Sequence, residues 1–181
     1  MSYPTTKAFI HVGSWDDETR AHPAMKWMEH YTKDIIDGRK FDHSASSTGH
    51  TKDWTLQKST GETIEGADKA WQVLSSEVYA PFSSHVHDPT FVVCWETEKG
   101  WDMFGIAQLW WNLQASGEQK IKGYGGKEWD GCTPSAFYFK YVKGGEEGVQ
   151  LARTEIYSDP SQALVQMIKR GMLKPEQLAQ M

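Results

Sequence analysis

Cysteine is scarce in this chain: 181 residues hold only Cys94 and Cys132. Two thiols build neither a disulfide framework nor a four-cysteine zinc centre, and a reducing, cytoplasmic setting is the simple expectation. Long apolar runs are missing as well. No stretch approaches the roughly 18 apolar residues that a membrane helix needs, so no membrane partner is expected. The opening MSYPTTKAFIHVG has no basic segment followed by an apolar one, which argues against a secretory leader. Basic patches are absent too. Nineteen Lys and Arg are outnumbered by 24 Asp and Glu, giving a net charge of −5, and the cations are scattered. That excludes the usual footprint of a nucleic-acid binder. Gly123-Tyr124-Gly125-Gly126 is glycine-rich but fits neither a phosphate loop nor a dinucleotide fingerprint. With no three-ligand metal spacing either, neither a metal nor an organic cofactor is expected. No repeat, low-complexity tract or linker interrupts the chain, so residues 1–181 read as one domain.

What the chain does have is rings. Nine Trp, seven Tyr and seven Phe make it 13% aromatic. Such side chains suit a thick core, an oligomer interface or a pocket for a flat organic ligand.

Residues 1–22 read as an irregular N-terminal arm. Pro23 suits a first helical turn, and Ala24, Trp27, Met28, Tyr31 and Ile35 then recur at helical spacing up to Gly38. Arg39 to Lys52 is polar, with His43 and His50, and reads as a loop or lid. Trp54 to Gln57 is a short strand candidate. A second helix begins near Gly66, carries Ala67, Ala70, Trp71, Leu74 and Val78 on one stripe, and stops at Pro81. Strand patterns follow at 90–97, 101–113, 136–143 and 149–157, separated by short turns. Asp159-Pro160 opens a last helix ending at Gly171, so residues 160–181 read as a C-terminal helical extension. Helices that precede a run of tightly connected strands imply an α+β fold with an antiparallel sheet. The long strands are apolar on both faces. One face must cover the helices, and the other must meet a pocket or a second subunit, which makes a homodimer the expected assembly.

His85-Val86-His87 is the first candidate for chemistry. In an extended segment the two rings share a face, and imidazole suits proton transfer near neutral pH. They read equally as a surface pair at a strand start, and as metal ligands only if others join them. Asp88-Pro89 follows at once, a place for a bulge that would leave one ring inward. On the first helix, Tyr31 lies on the apolar stripe and its hydroxyl needs a partner. His30 and Asp34 are neighbours one turn apart. Asp53, before the short strand, is a further candidate base. On the long strand, Met103, Ala107, Leu109, Trp111 and Leu113 share one face. Gln108, Trp110 and Asn112 share the other, where buried amides would have to be hydrogen-bonded and could orient a ligand oxygen. Trp27, Trp54, Trp71 and Tyr138 complete the candidate aromatic wall. Arg153 and Glu155 share a face and read as an ion pair, and Cys94 as a small core residue.

The element order resembles the cone-shaped α+β superfamily of nuclear transport factor 2 and the SnoaL-type polyketide cyclases. Three segments carry the resemblance: the helix with Trp27 and Tyr31, GETIEGADKAWQVLSSEVYAPFSSHVH, and RTEIYSDPSQAL. Within it, scytalone dehydratase and the small isomerases and cyclases of fungal secondary metabolism are most similar. The resemblance implies a curved sheet wrapped around N-terminal helices, a pocket between them, and no cofactor. It implies a catalytic His at His85 or His87, with His85 the better spaced from Pro81. It also places a Tyr-Asp pair at Tyr31, where this chain has Thr32 instead of the Asp, and a second strand histidine that this chain lacks. The activity expected is proton-moving isomerisation, cyclisation or dehydration of a small oxygenated polyketide- or terpenoid-type molecule, with His85 or His87 as acid/base, helped by Tyr31 and by Asp34 or Asp53. The alternative is a non-catalytic ligand-binding or dimerisation module on the same fold.

Overall fold

The computed structural model describes residues 7–118 and 120–178. The arm is more regular than its sequence suggests. Strand β1 (Ala8–Val12) joins the sheet, and helix α1 (Asp17–Ala21) is capped by Asp16, whose carboxylate accepts from the N–H groups of Glu18 and Thr19. Helix α2 (Pro23–His30) follows and continues as a π-helical stretch, Tyr31–Ile36. Strands β2 (His50–Gln57) and β3 (Thr63–Glu65) precede α3 (Ala67–Val73), which also ends in a π stretch, Leu74–Val78. Long strands β4 (Phe82–Glu96) and β5 (Gly100–Leu113) lead to a small hairpin, β6 (Ile121–Lys122) and β7 (Glu128–Trp129). Then come β8 (Gly131–Lys143), β9 (Val149–Ser158), α4 (Ser161–Lys169) and α5 (Pro175–Leu178).

The seven-stranded sheet runs β1-β4-β5-β8-β9-β2-β3. Every pairing is antiparallel except β2 with β9. This is the expected α+β architecture: an antiparallel-dominated sheet with α2 and α3 packed on one face. The register of β4 slips between Pro89 and Phe91, which places the expected bulge beside the histidine pair. The core lies between the inner sheet face and the two helices. It includes Trp27, Met28, Trp54, Trp71, Trp111 and Tyr141. Helix α4 is pinned over one end of the sheet: Arg170 Nη1 reaches Asp130 Oδ2 at 2.6 Å, and Lys120 takes the other carboxylate oxygen. No helix among the described residues is long and apolar enough to cross a membrane.

Two histidines are built into this core. His50 is 2% exposed and His85 1%. Burial lowers the pKa of His50 to about 4, and burial with the neighbouring His87 and Arg39 lowers that of His85 to about 2. Both rings are therefore neutral in the folded chain and protonate below about pH 6.5 in the unfolded one. The unfolded state binds more protons in that window, so stability is complete above it and falls as the pH drops. Each ring contributes a slope of up to about 1.4 kcal/mol per pH unit. Urea unfolding followed between neutral pH and pH 5 should show the midpoint falling steadily; a flat midpoint would mean that these rings are not buried neutral.

Candidate functional site

Among the described residues, the inner face of the sheet and the helices form a small apolar cavity of about 70 Å³. Tyr31 and Ile36 line it from the first helix, Tyr79 from the end of the second, and His87, Met103 and Phe137 from strands β4, β5 and β8. A second cavity lies beneath α4 and meets the first at Tyr79, His87, Phe137 and Ile156.

His87 stands at that junction. Its Nδ1 is 2.7 Å from Asp37 Oδ1, and its backbone N–H donates to Asp37 Oδ2 at 3.0 Å. The ring is thus held at two points by one carboxylate. Tyr79 Oη lies 3.2 Å from Nε2. A carboxylate only accepts, so Nδ1 carries the proton, and in the neutral ring Nε2 accepts from the Tyr79 hydroxyl. This is the orientation a carboxylate imposes on a catalytic imidazole, and it stabilises the imidazolium that would form on proton uptake.

Both partners of His87 owe their place to π-helical turns. Asp37 N–H bonds to Thr32 O at 2.8 Å and Tyr79 N–H to Leu74 O at 3.1 Å, each five residues back rather than four. The wider turn rotates the following side chain relative to an α-helix, bringing Asp37 and Tyr79 inward. A 3.6-residue reading points to Asp34 and to Val78 instead. Such turns are rare and recur at functional sites; nothing in the spacing of apolar residues announces them. Asp37 and Tyr79 are the two site residues that sequence reasoning missed.

The expected residues sort differently. His87 lines the cavity. His85 does not: its ring is stacked under Tyr79, 4.5 Å between centroids, and its Nε2 is 3.7 Å from Asp37 Oδ1, beyond hydrogen-bond length. The ring nearer Pro81 is thus not the one at the cavity: the strand carries the second ring, His87, past the helix end to the wall. Tyr31 lines the cavity, but its hydroxyl is 3.1 Å from His50 Nε2, and His50 Nδ1 faces the Ala45 carbonyl at 3.1 Å. His50 Nδ1 must therefore hold the proton, and Tyr31 donates to Nε2. Its proton is committed within the protein, so Tyr31 is not the free donor expected.

Asp34 is on the surface, paired to His30 Nδ1 at 2.7 Å, and Asp53 is exposed on β2. Neither reaches the cavity. Trp27 stacks on Tyr31, Trp54 donates to Thr154 Oγ1, and Trp71 donates to the His43 carbonyl. All three are core residues, the indole N–H groups of Trp54 and Trp71 are satisfied inside the protein, and none of the three lines the cavity. Gln108, Trp110, Asn112 and Tyr138 lie on the outer sheet face, away from the cavity. Gln108 accepts from Cys132, Asn112 accepts from the Asp130 N–H, and Trp110 packs on Gly123. The Arg153–Glu155 ion pair forms as expected, at 2.5 Å, and Cys94 is buried with its thiol pushed up to about 12.

Among the described residues, two groups offer metal-type donors: Asp37, His85 and His87, and His11, Asp16 and Glu18. In the first, Asp37 and His87 already spend their donor atoms on each other. In the second, the Asp16 carboxylate caps α1. Neither arrangement leaves a preformed set of three free ligands.

No family model and no curated protein matches the chain by sequence. Solved structures do match in shape. A hexachlorocyclohexane dehydrochlorinase from Novosphingobium barchaimii is 13% identical with a TM-score of 0.56, over 80% of this chain and 91% of that one. A scytalone dehydratase-like protein from Novosphingobium aromaticivorans is 10% identical with a TM-score of 0.58, over 79% and 86%. Nuclear transport factor 2 from Cryptosporidium parvum is 11% identical with a TM-score of 0.50, over 74% and 90%. At these identities the likeness is one of fold, and the resemblance read in the sequence holds at that level: the chain has the nuclear transport factor 2-like cone fold.

Proposed function

We propose that this chain is a cofactor- and metal-independent enzyme that moves protons in a small, flat, oxygenated molecule of polyketide or terpenoid type. The reaction class is elimination of water or isomerisation, with cyclisation drawing on the same steps. One observation carries the reading: His87, its ring held by the Asp37 carboxylate, stands with Tyr79 in the wall of an apolar cavity. The cavity walls are mostly apolar, and the Asp37–His87 pair would serve as the proton acceptor. The names of two structural neighbours, a dehydrochlorinase and a scytalone dehydratase-like protein, favour eliminations over simple binding.

A flat carbon acid tests this without knowledge of the natural substrate. Nitrobenzisoxazole loses its ring C–H to a base, its N–O bond breaks, and a coloured phenolate forms. The protein should accelerate this reaction above buffer. His87→Ala should lower the rate by about 10²–10⁴-fold, as expected for a general base, and Asp37→Asn should also lower it. Wild-type rates in His87→Ala would sink the proposal, as would a wild-type protein no better than buffer.

We also propose a homodimer through the outer sheet face. Strand register lines up Val12, Phe91, Ile106, Ala136 and Tyr157 across five strands, and Ile10, Val93, Phe104 and Tyr138 in the adjacent row. Val12 is 77% exposed, Ile10 63%, Tyr157 47% and Ile106 37%. A continuous apolar band of this kind is unusual on a monomer, and a two-fold contact would cover it symmetrically. Sedimentation should give the mass of two 20.6 kDa chains, and Val12→Lys should shift it to one. A wild-type monomer at low micromolar concentration would refute the assembly.

A further inference from the structure

We infer that Tyr79 is the group that touches the substrate, and that a proton leaving the substrate reaches His87 only through the Tyr79 hydroxyl. The inference rests on Asp37–His87 as the proton acceptor and adds the path to it. Neither ring nitrogen of His87 is free. Nδ1 faces Asp37 Oδ1 at 2.7 Å, and Nε2 faces Tyr79 Oη at 3.2 Å. The ring cannot turn to present a nitrogen to the cavity without breaking its bond to Asp37, and the backbone bond from His87 N–H holds that carboxylate in place. Tyr79 cannot easily step aside either. Its ring lies parallel to His85 on one contact, at 4.5 Å and 11°, and to Phe41 on another, at 5.8 Å and 16°. Yet Tyr79 belongs to the wall of both cavities. With its proton donated to Nε2, what its oxygen offers a ligand is a lone pair, which accepts a proton.

The transfer then runs as one event. The substrate C–H or O–H proton passes to Tyr79 Oη, the Tyr79 proton passes to His87 Nε2, and the bonding electron pair stays on the substrate. His87 becomes an imidazolium paired with Asp37. Reversal returns the proton through Tyr79 to the departing hydroxyl or to a neighbouring carbon, so atoms and charge balance with no further reactant. The two transfers must be concerted, because burial and then the nearby Asp37 raise the Tyr79 pKa and disfavour a free tyrosinate.

Heavy water separates this path from direct abstraction. Removal of the nitrobenzisoxazole C–H by a bare imidazole moves no exchangeable proton. Removal through Tyr79 carries the exchangeable Tyr79 proton as well, so the wild-type rate should fall in heavy water. Tyr79→Phe should lower the rate by about 10²–10⁴-fold, like loss of the base itself, and should abolish the solvent isotope effect. The histidine nitrogen resonances of that variant should still show His87 Nδ1–H bonded to Asp37, which separates a lost relay from a lost fold. A Tyr79→Phe protein that keeps the wild-type rate overturns the relay while leaving His87 as a direct base. A wild-type rate in His87→Ala would instead remove the reading on which the relay rests.

Discussion

The Asp37 carboxylate is the constraint on which this site depends. Its side chain is only 9% exposed, and a buried carboxylate without hydrogen bonds costs several kcal/mol. Here it is satisfied by one residue of the sheet, His87, through both backbone and ring. That pair of hydrogen bonds ties the end of the first helix to strand β4. It also fixes which nitrogen of His87 carries the proton, and so determines that Tyr79 donates to the other. A second histidine, His85, stands in the core with its ring stacked flat on Tyr79, and burial first, then His87 and Arg39, lower its pKa.

The fold was largely legible in the sequence, and the reason is periodicity. The stripes Ala24–Trp27–Met28–Tyr31 and Ala67–Ala70–Trp71–Leu74 mark helices because each repeats long enough to exclude a strand. The strand meander follows from alternation and short turns. What failed was local. Strand β4 begins at Phe82, eight residues before its apolar run, because Ser83, Ser84 and Asp88 are polar on its outer edge. The arm's β1 has too few residues to show alternation against an irregular background. The site was half legible: the histidine pair was visible, but its acid and hydroxyl partners were not. A count in steps of 3.6 finds Asp34 next to Tyr31, whereas the π turn delivers Asp37.

A different limit governed the aromatic residues and the amides. Alternation divides β5 correctly into Met103–Ala107–Trp111 and Gln108–Trp110–Asn112, but it does not say which set meets the helices. That depends on the side of the sheet to which the connections return, a property of the whole topology. Gln108 and Asn112 therefore looked like ligand-orienting amides and are satisfied instead on the outer face, by Cys132, Ser84 and the Asp130 backbone. Likewise the tryptophans that suggested a pocket mostly form its foundation. Trp54 and Trp71 each send the indole N–H to a partner inside the protein, which lets a large ring be fully buried behind the residues that line the cavity.

Among the described residues, two tyrosine–histidine pairs have the same form and differ in what stands behind the ring. Tyr31 donates to His50 Nε2 as Tyr79 donates to His87 Nε2. Behind His50 Nδ1 stands a backbone carbonyl, that of Ala45; behind His87 Nδ1 stands a carboxylate. A carbonyl dipole orients a neutral ring but cannot neutralise a charged one, and burial accordingly lowers the pKa of His50 to about 4. A carboxylate can neutralise the imidazolium, so a proton entering at Tyr79 has somewhere to rest and one entering at Tyr31 does not. Both tyrosine residues belong to the wall of one cavity, so a bound molecule would meet a fixed hydroxyl at Tyr31 and a proton path at Tyr79. On the proposed reading, binding falls to the first pair and proton transfer to the second.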